Sequence, residues 1–285
     1  SSLVVGTSGR NPITFDNWNN SKILAYWKYD DATKPGKDSH SWLGRLNNIR
    51  TALQGQQGDR RLRLGIAGGE WKKMMADATA RTRFASEVKK IIEQYDFDGV
   101  DFDFEWPTNA SEYNNYSATV IQMRSTLGKY VYFTASLHPV SFKISPEAID
   151  ALDFISYQCY GPAVMRFPYE QFVKDGEAAV AYGIPKNKLV MGVPFYGSTG
   201  SLIAAYCDFV NDGLATTNED TYTYKGNTYT FNSIETIRKK ARYVCEEDYA
   251  GIMSWDLATD IDITNNKSLL KVIKEEFEYY ANPTE

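Results

Sequence analysis

Short apolar runs recur along the chain, and most of them are followed by a stretch with helical periodicity. This alternation is typical of strands and helices built around a parallel sheet. The apolar runs predict eight strands, at residues 3–6, 23–27, 62–67, 99–104, 130–136, 154–160, 189–194 and 251–255. Eight such units close into a (β/α)8 barrel, the TIM-barrel fold, more readily than into an open sheet. We therefore predict an α/β protein of this class.

The segments between these runs carry helical periodicity or helix-terminal residues. They predict helices at residues 43–53, 71–95, 111–127, 146–151, 169–182, 233–247 and 268–280. Ser145 followed by Pro146 is typical of a helix start, and Ser233 and Ser268 are further N-cap candidates. The pattern is weakest over residues 7–21, which are short and polar and leave room for only a turn or two of helix.

One insertion is predicted in the loop after the seventh strand. Residues 222–231 alternate around a Gly226-Asn227 turn, which is typical of a β-hairpin. Loops at that end of a barrel build active sites, so the hairpin either walls a cleft or is a surface decoration. Because the chain has no internal repeat and no low-complexity linker, we predict a single catalytic domain over residues 1–285.

Three carboxylates alternate with apolar side chains along the predicted fourth strand, and they are Asp101, Asp103 and Glu105. Successive side chains of a strand point to opposite faces, so these three share one face while the other face is apolar. Like charges at this spacing do not all ionise cheaply, and we predict that at least one holds a proton near neutral pH, as a general acid requires. The other predicted strands offer almost no inward basic partner, which disfavours a purely structural role.

Composition and charge narrow the possible partners. The 14% aromatic content, with 20 Tyr and 6 Trp, favours either sugar stacking or an aromatic core. A net charge of −5 and the absence of a basic stripe beyond Arg60, Arg61 and Arg63 argue against nucleic acid. Three widely spaced Cys and two His predict neither a disulfide framework nor a metal site, so we expect no metal and no cofactor.

The sequence also predicts where the protein acts. No run of 18 apolar residues occurs, so we expect no membrane span. The chain begins Ser1-Ser2 without a signal-like apolar segment, and a leader removed from a mature chain would be out of view. We expect a secreted, periplasmic or cell-surface protein that acts as a monomer.

The acidic segment resembles a long family motif. Residues 98–105, DGVDFDFE, match the D-G-x-D-x-D-x-E pattern of glycoside hydrolase family 18, which contains chitinases and endo-β-N-acetylglucosaminidases. Three later segments resemble the family's sixth, seventh and eighth strands in the right order, namely YQCY at 157–160, VMGVPFYG at 190–197 and GIMSWD at 251–256. The resemblance extends from about residue 62 to residue 256.

This resemblance implies a retaining mechanism in which the 2-acetamido oxygen of the substrate, and not an enzyme carboxylate, attacks the anomeric carbon. Glu105 would protonate the glycosidic oxygen and later activate water. Asp103 would orient the acetamido N–H and stabilise the oxazolinium charge. Asp101 would share a proton with Asp103 and tune its pKa.

The resemblance also implies a set of substrate-binding residues. Tyr160 would donate its hydroxyl to the acetamido group, Trp255 would form the apolar floor under the sugar, and Tyr196 would line the same cleft. Gln158 stands where many members carry Met. It either hydrogen-bonds substrate or makes a structural hydrogen bond.

Three positions depart from the family pattern. Residues 66–69 read IAGG in place of S-x-G-G, Gly161 stands where an Asp or Asn usually follows the sixth-strand Tyr, and Ser198 stands where many chitinases carry Arg. These changes remove substrate contacts but none of the acidic groups, so we expect activity with altered subsites. The short segment from Ser198 to Tyr249 predicts a shallower, more open groove.

The leading prediction is a hydrolase of β-1,4 bonds next to N-acetylglucosamine, in chitin or chitooligosaccharides. An endoglycosidase that cleaves the chitobiose core of N-glycans is the alternative within the same chemistry. A chitinase-like lectin that binds such glycans without cleavage is the third possibility, and the presence of Glu105 at the acid position argues against it.

Overall fold

The computed structural model describes residues 2–6, 51, 61–67, 71–161 and 164–282. The chain divides into two compact units. Unit 1 takes Ser1–Ser136 and Lys143–Asp153, and unit 2 takes Leu137–Phe142 and Phe154–Glu285. The single-domain assignment for residues 1–285 stays a prediction.

Unit 1 is built on parallel strands that alternate with helices. The strands pair in the order β1 (Ser2–Gly6), β2 (Arg61–Ile66), β3 (Gly99–Phe102) and β4 (Tyr132–Leu137), although Leu137 itself belongs to unit 2. The α-helices among the described residues of unit 1 are α1 (Trp71–Ala76), α2 (Ala78–Tyr95), α3 (Ala110–Leu127) and α4 (Pro146–Ala151).

Aromatic side chains from β3, β4 and α2 form the centre of the unit 1 core. The Phe102 ring lies 4.8 Å from the Phe133 ring in an edge-on contact, and Phe84 of α2 stacks on Phe102 at 5.6 Å. All three side chains are completely buried. Strand β3 is therefore fixed by the packing of its apolar face against α2, which determines where its opposite face lies.

The segment 71–95 forms two helices, so the prediction of one continuous helix is wrong. Asp77 interrupts it with extended backbone angles, and its carboxylate accepts a hydrogen bond from the Ala80 N–H at 2.7 Å. An aspartate in this position caps a new helix, because it satisfies an amide that has no partner inside the helix. The apolar periodicity continues across the break, and for that reason the pattern alone does not reveal it.

In the described part of unit 2, three strands pair in parallel, namely β5 (Phe154–Tyr157), β6 (Leu189–Pro194) and β11 (Gly251–Trp255). A small antiparallel sheet follows β6, made of β7 (Tyr196–Ser198), β8 (Ile203–Ala205), β9 (Thr221–Tyr224) and β10 (Asn227–Thr230), in the order β8-β7-β10-β9. The helices are α5 (Tyr169–Tyr182), α6 (Tyr206–Asn211), α7 (Ile234–Glu246) and α8 (Leu269–Ala281).

Strands β9 and β10 form a hairpin within the insertion after β6. Its two turn residues are Lys225 and Gly226, both with positive φ, at 49° and 77°. Two positive φ values in a two-residue loop are typical of a type I′ turn, whose twist matches that of the strands. The prediction that Gly226-Asn227 forms the turn is wrong by one residue, because Asn227 already pairs with Tyr224.

Seven of the eight predicted strands occur among the described residues, and helices follow at most of the predicted places. The predicted strand at 23–27 and helix at 43–53 lie outside the described residues. Strands β3 and β5 end two and three residues before their predicted ends. Strand β3 ends at Phe102, and β5 ends at Tyr157 because the Cys159 N–H turns back to the Tyr157 carbonyl, at 2.9 Å.

Candidate active site

The three carboxylates of the acidic segment differ in how far solvent reaches them. Asp101 is in β3 and buried, Asp103 lies just beyond the strand and is half-buried, and Glu105 is exposed. The intervening Phe102 and Phe104 are completely buried. The alternation thus continues past the end of β3, since the Asp103 N–H still bonds to the Ile66 carbonyl of β2, at 2.9 Å.

Asp101 is surrounded by hydrogen-bond donors. Arg63 Nη1 of β2 lies 3.2 Å from Asp101 Oδ1, and the Thr134 hydroxyl of β4 donates to the same oxygen. The Ser136 hydroxyl donates to Oδ2 at 2.9 Å. Parallel pairing puts these side chains together, because Gly65 and Thr134 are the register partners of Asp101 on its two neighbouring strands. Both carboxylate oxygens of Asp101 therefore accept hydrogen bonds inside the protein.

The prediction that the neighbouring strands offer almost no inward basic partner is wrong. Arg63 is only 4% exposed, and burial lowers the pKa of its guanidinium while the charge of Asp101 opposes that shift. A guanidinium still stays charged in such a site because its intrinsic pKa is so high. The negative charge of Asp101 is therefore compensated within unit 1, and the acidic segment is not a row of three unbalanced charges.

The first two residues of the motif have structural roles. Asp98 Oδ2 accepts the Leu62 N–H at 2.7 Å, while the Asp98 N–H donates to the Leu62 carbonyl at 2.9 Å, which ties the start of β3 to β2. A Cβ at Gly99 would lie 2.1 Å from the Tyr132 carbonyl oxygen. Strand β4 therefore approaches β3 too closely at this point for any side chain.

Tyr116 of α3 is a buried neighbour of the acidic segment that the sequence did not reveal. Its pKa is raised well above the ordinary value, first by burial and then by the negative charges of Asp101 and Asp103. Among the described residues its hydroxyl has no hydrogen-bond partner. The Tyr116 ring meets Trp71 edge-on at 6.1 Å, which fixes its position in the core.

In unit 2 the end of β5 presents two predicted site residues, Gln158 and Tyr160, both of which are buried. The Gln158 N–H donates to the Leu137 carbonyl at 2.8 Å, and Tyr160 follows beyond the last sheet bond. The Tyr160 hydroxyl donates to the Met253 sulfur of β11 at 3.3 Å. A thioether is a weak acceptor, so a stronger acceptor would readily replace it.

Tyr196 lies between two other rings of unit 2. The Tyr160 ring meets it edge-on at 6.3 Å, and the Phe167 ring does so at 5.6 Å. Burial raises the pKa of Tyr196 to about 12, so its hydroxyl keeps its proton and remains a donor. Edge-on contacts of this kind hold aromatic side chains in place.

Trp255 ends β11 and is 53% exposed. Its carbonyl accepts the Phe195 N–H at 2.8 Å, so its backbone is fixed while its indole remains open to solvent. An exposed aromatic ring on a rigid strand end is suited to stack against a sugar ring.

Two of the departures from the family pattern have defined surroundings. Gly161 has a positive φ of 44°, and a Cβ there would lie 3.5 Å from the Tyr196 hydroxyl. Ser198 is buried, and its hydroxyl accepts the Gly200 N–H at 2.9 Å, so it stabilises a turn of the chain. Of the third-strand segment, Ile66 and Ala67 are described and the two following glycines lie outside the described residues.

The described part of the chain has no group of three or more His, Cys, Asp and Glu side chains placed to hold a metal ion. A search of the same residues for helices of membrane-spanning length and apolarity found none.

The chain matches the model of a known protein family. The family model described as glycosyl hydrolases family 18 matches residues 9–260. A relative from Drosophila melanogaster, described as probable chitinase 2, is 23% identical over 297 residues, which is 76% of this chain and 60% of that protein. The chain thus spans about 60% of the length of this relative.

The chain is also similar in fold to solved structures. A chitinase from Bacteroides thetaiotaomicron has a TM-score of 0.72 at 20% identity, over 96% of this chain and 95% of that chain. A chitinase-like agglutinin from Robinia pseudoacacia has a TM-score of 0.68 at 18% identity, over 82% and 86% of the two chains. At these identities the likeness shows the fold, and it confirms the predicted (β/α)8 class.

Proposed function

The chain belongs to glycosyl hydrolase family 18, and from that membership we propose that it is a retaining glycosidase that cleaves β-1,4-linked N-acetylglucosamine in chitin or chitooligosaccharides. The reaction proceeds through an oxazolinium intermediate, formed when the substrate's own acetamido oxygen attacks the anomeric carbon.

The observation that carries this proposal is the graded surroundings of the three carboxylates. Asp101 is buried and held by Arg63, Thr134 and Ser136, so it is committed to contacts inside the protein. Asp103 is half-buried and Glu105 is exposed, so these two remain accessible to a bound sugar. A general acid must reach the glycosidic oxygen, whereas a group that fixes its neighbour need not touch substrate.

Glu105 is accordingly the general acid, which protonates the leaving oxygen and then activates the water that opens the intermediate. Asp103 accepts the acetamido N–H and stabilises the positive charge that develops on the oxazolinium ring. Asp101 acts through Asp103. In this proposal Asp101 shares a proton with Asp103 and tunes the pKa of that neighbour, while Arg63, Thr134 and Ser136 hold the Asp101 carboxylate in place.

The unit 2 residues bind the sugar. Tyr160 donates its hydroxyl to the acetamido oxygen, and its present acceptor, the Met253 sulfur, is weak enough to be exchanged for it. Trp255 supplies the exposed ring on which the sugar stacks, and Tyr196 lines the same site as a protonated donor. Gln158 is buried and precedes Tyr160 by two residues in the sequence. It either contacts the substrate or makes a structural hydrogen bond at the end of the strand.

A polymeric substrate does not cross a membrane, so the proposal includes a secreted, periplasmic or cell-surface location. The proposal also has the protein act as a monomer. Binding without cleavage is the second candidate function, because the similar structures include an agglutinin. The presence of Glu105 favours the enzyme.

Product analysis on defined chitooligosaccharides and on a high-mannose glycoprotein tests this function. We expect shortened chitooligosaccharides with retained anomeric configuration, and inhibition by a thiazoline analogue of the oxazolinium intermediate. Cleavage of the glycoprotein alone would assign the chain to the chitobiose-cleaving class. Binding of both substrates with no product would support the lectin, and an active preparation that the thiazoline does not inhibit would contradict substrate assistance.

A further inference from the structure

His138 is buried at the strand end next to a predicted site residue. It follows β4 in the segment Leu137–Phe142 of unit 2 and is only 1% exposed. Its Nε2 lies 3.0 Å from the Tyr160 carbonyl oxygen and 2.7 Å from the Gly161 carbonyl oxygen. Its Nδ1 accepts the Val140 N–H at 3.2 Å.

These partners assign the proton on the imidazole ring. A carbonyl oxygen only accepts hydrogen bonds, so Nε2 must carry the proton that faces Tyr160 and Gly161. A backbone N–H only donates, so Nδ1 must present its lone pair to Val140. Nε2 is therefore the donor and Nδ1 the acceptor, and both nitrogens are engaged inside the protein. Neither nitrogen is available to exchange a proton with substrate.

The contact of His138 with the Tyr160 and Gly161 carbonyls lies beyond the end of strand β5. The last sheet bond of β5 is donated by the Gln158 N–H to the Leu137 carbonyl at 2.8 Å. Tyr160 and Gly161 lie beyond it, and Gly161 adopts a left-handed conformation with φ of 44°. A peptide outside a strand is held in one conformation only if other groups form hydrogen bonds with it. Buried carbonyl oxygens in particular need hydrogen-bond donors. The His138 Nε2–H supplies a donor to both carbonyls.

We propose that His138 is a positioning residue that fixes the Tyr160–Gly161 peptide and thereby aims the Tyr160 hydroxyl at the acetamido group of the substrate. This inference rests on the proposed function, since it takes Tyr160 as the residue that touches the acetamido oxygen. It adds a residue that the family motif does not contain and that acts only through Tyr160.

Inhibitor binding distinguishes a role of His138 in positioning Tyr160 from a contribution to the stability of the protein. A thiazoline inhibitor mimics the oxazolinium ring, so its inhibition constant reports how well the acetamido group is held in the folded enzyme. We expect His138→Leu to raise this constant roughly 10-fold and to lower kcat/KM by roughly 10- to 100-fold, since small misplacements of a substrate-orienting group have effects of that size. His138→Gln keeps a donor that reaches the carbonyls, and we expect it to restore most of the loss.

Ser268→Ala is the matched control. Ser268 is a buried N-cap of α8 whose hydroxyl accepts the Lys271 N–H at 3.2 Å, so its loss destabilises the protein without a contact to Tyr160. We expect a lower unfolding temperature for Ser268→Ala with an unchanged inhibition constant. If His138→Leu does not fold, His138→Asn takes its place, because the shorter amide reaches the Val140 N–H but not the two carbonyls.

The decisive comparison repeats His138→Leu in a Tyr160→Phe background. If His138 acts through Tyr160, the double variant has the same inhibition constant as Tyr160→Phe alone. If the two substitutions raise the inhibition constant by factors that multiply in the double variant, the proposal is overturned. It is also overturned if His138→Leu leaves the inhibition constant unchanged while Tyr160→Phe raises it. If Tyr160→Phe itself leaves both the constant and kcat/KM unchanged, the proposed role of Tyr160 fails, and the role of His138 fails with it.

Discussion

Arg63 and Asp101 form a buried ion pair, with Arg63 Nη1 3.2 Å from Asp101 Oδ1 and both side chains at most 5% exposed. The pair joins β2 to β3, and Thr134 and Ser136 of β4 complete the donor set around the carboxylate. A buried pair of this kind adds little net stability compared with apolar residues, but it is costly to break. Its role here is to fix the position of the Asp101 carboxylate within the acidic segment.

Replacing Arg63 with Met should therefore destabilise the protein strongly. We expect the free energy of unfolding to fall by about 3–5 kcal/mol, because Asp101 is left buried without its counter-ion. Urea unfolding measures this loss. The double variant Arg63→Met with Asp101→Leu removes both charges and should recover part of it. A single Arg63→Met variant as stable as the parent would contradict the ion pair.

Replacing Glu105 with Gln should abolish turnover and retain binding. The amide cannot transfer a proton, and we expect kcat to fall by about 10²–10⁴-fold or more, while chitooligosaccharide affinity measured by calorimetry changes little. Glu93→Gln is the control, since Glu93 is an exposed carboxylate of α2 that pairs with Lys89. Unchanged hydrolysis by Glu105→Gln would remove Glu105 from the role of general acid.

Lys240 of α7 should make stability rise with pH. It is completely buried, and its Nζ donates to the Phe167 carbonyl and to Asn232 Oδ1, both at 2.7 Å. Burial lowers its pKa from 10.5 to about 7, an effect that the nearby acidic groups Cys159, Asp220, Asp175 and Glu170 only partly oppose.

Between these two pKa values the unfolded chain binds more protons than the folded one, so the free energy of unfolding increases with pH by up to about 1.4 kcal/mol per pH unit. Below about pH 7 both states hold the proton and this contribution is flat. Because thiols and tyrosines titrate in the same range, the measurement is the difference in unfolding free energy between the parent and Lys240→Met from pH 6 to 10. A difference that does not grow with pH would contradict the lowered pKa.

The motif glycine Gly99 should tolerate no side chain. In Gly99→Ala the new Cβ would meet the Tyr132 carbonyl at 2.1 Å, and we expect a loss of about 3 kcal/mol or more because two strands must separate. Gly226→Ala is the comparison, since a Cβ there has no neighbour within 4 Å but the residue has a φ of 77°. Its cost should be about 1–2 kcal/mol from backbone strain alone. Equal losses in thermal unfolding would show that crowding at Gly99 is not decisive.

The local features of this protein follow from its amino-acid sequence. Alternation predicted that Asp101, Asp103 and Glu105 share a face, and apolar runs predicted strands such as Leu189–Pro194 with their observed bounds. Alternation and apolar runs are local patterns, because the periodicity of a strand or helix depends on residues that are close together in the sequence. The motif around these carboxylates was sufficient to indicate the family that the comparisons then identified.

The partners that these residues contact depend on the tertiary fold. Arg63, Thr134 and Ser136 lie 38, 33 and 35 residues from Asp101 in the chain, and strand register alone brings them to it. Apolar periodicity does not encode backbone geometry, and three further features depend on that geometry. They are the helix cap at Asp77, the turn at Lys225–Gly226 and the contact of His138 with the Tyr160 carbonyl. The charge balance at Asp101 is thus a property of the folded sheet, since it arises from the pairing of strands distant in sequence.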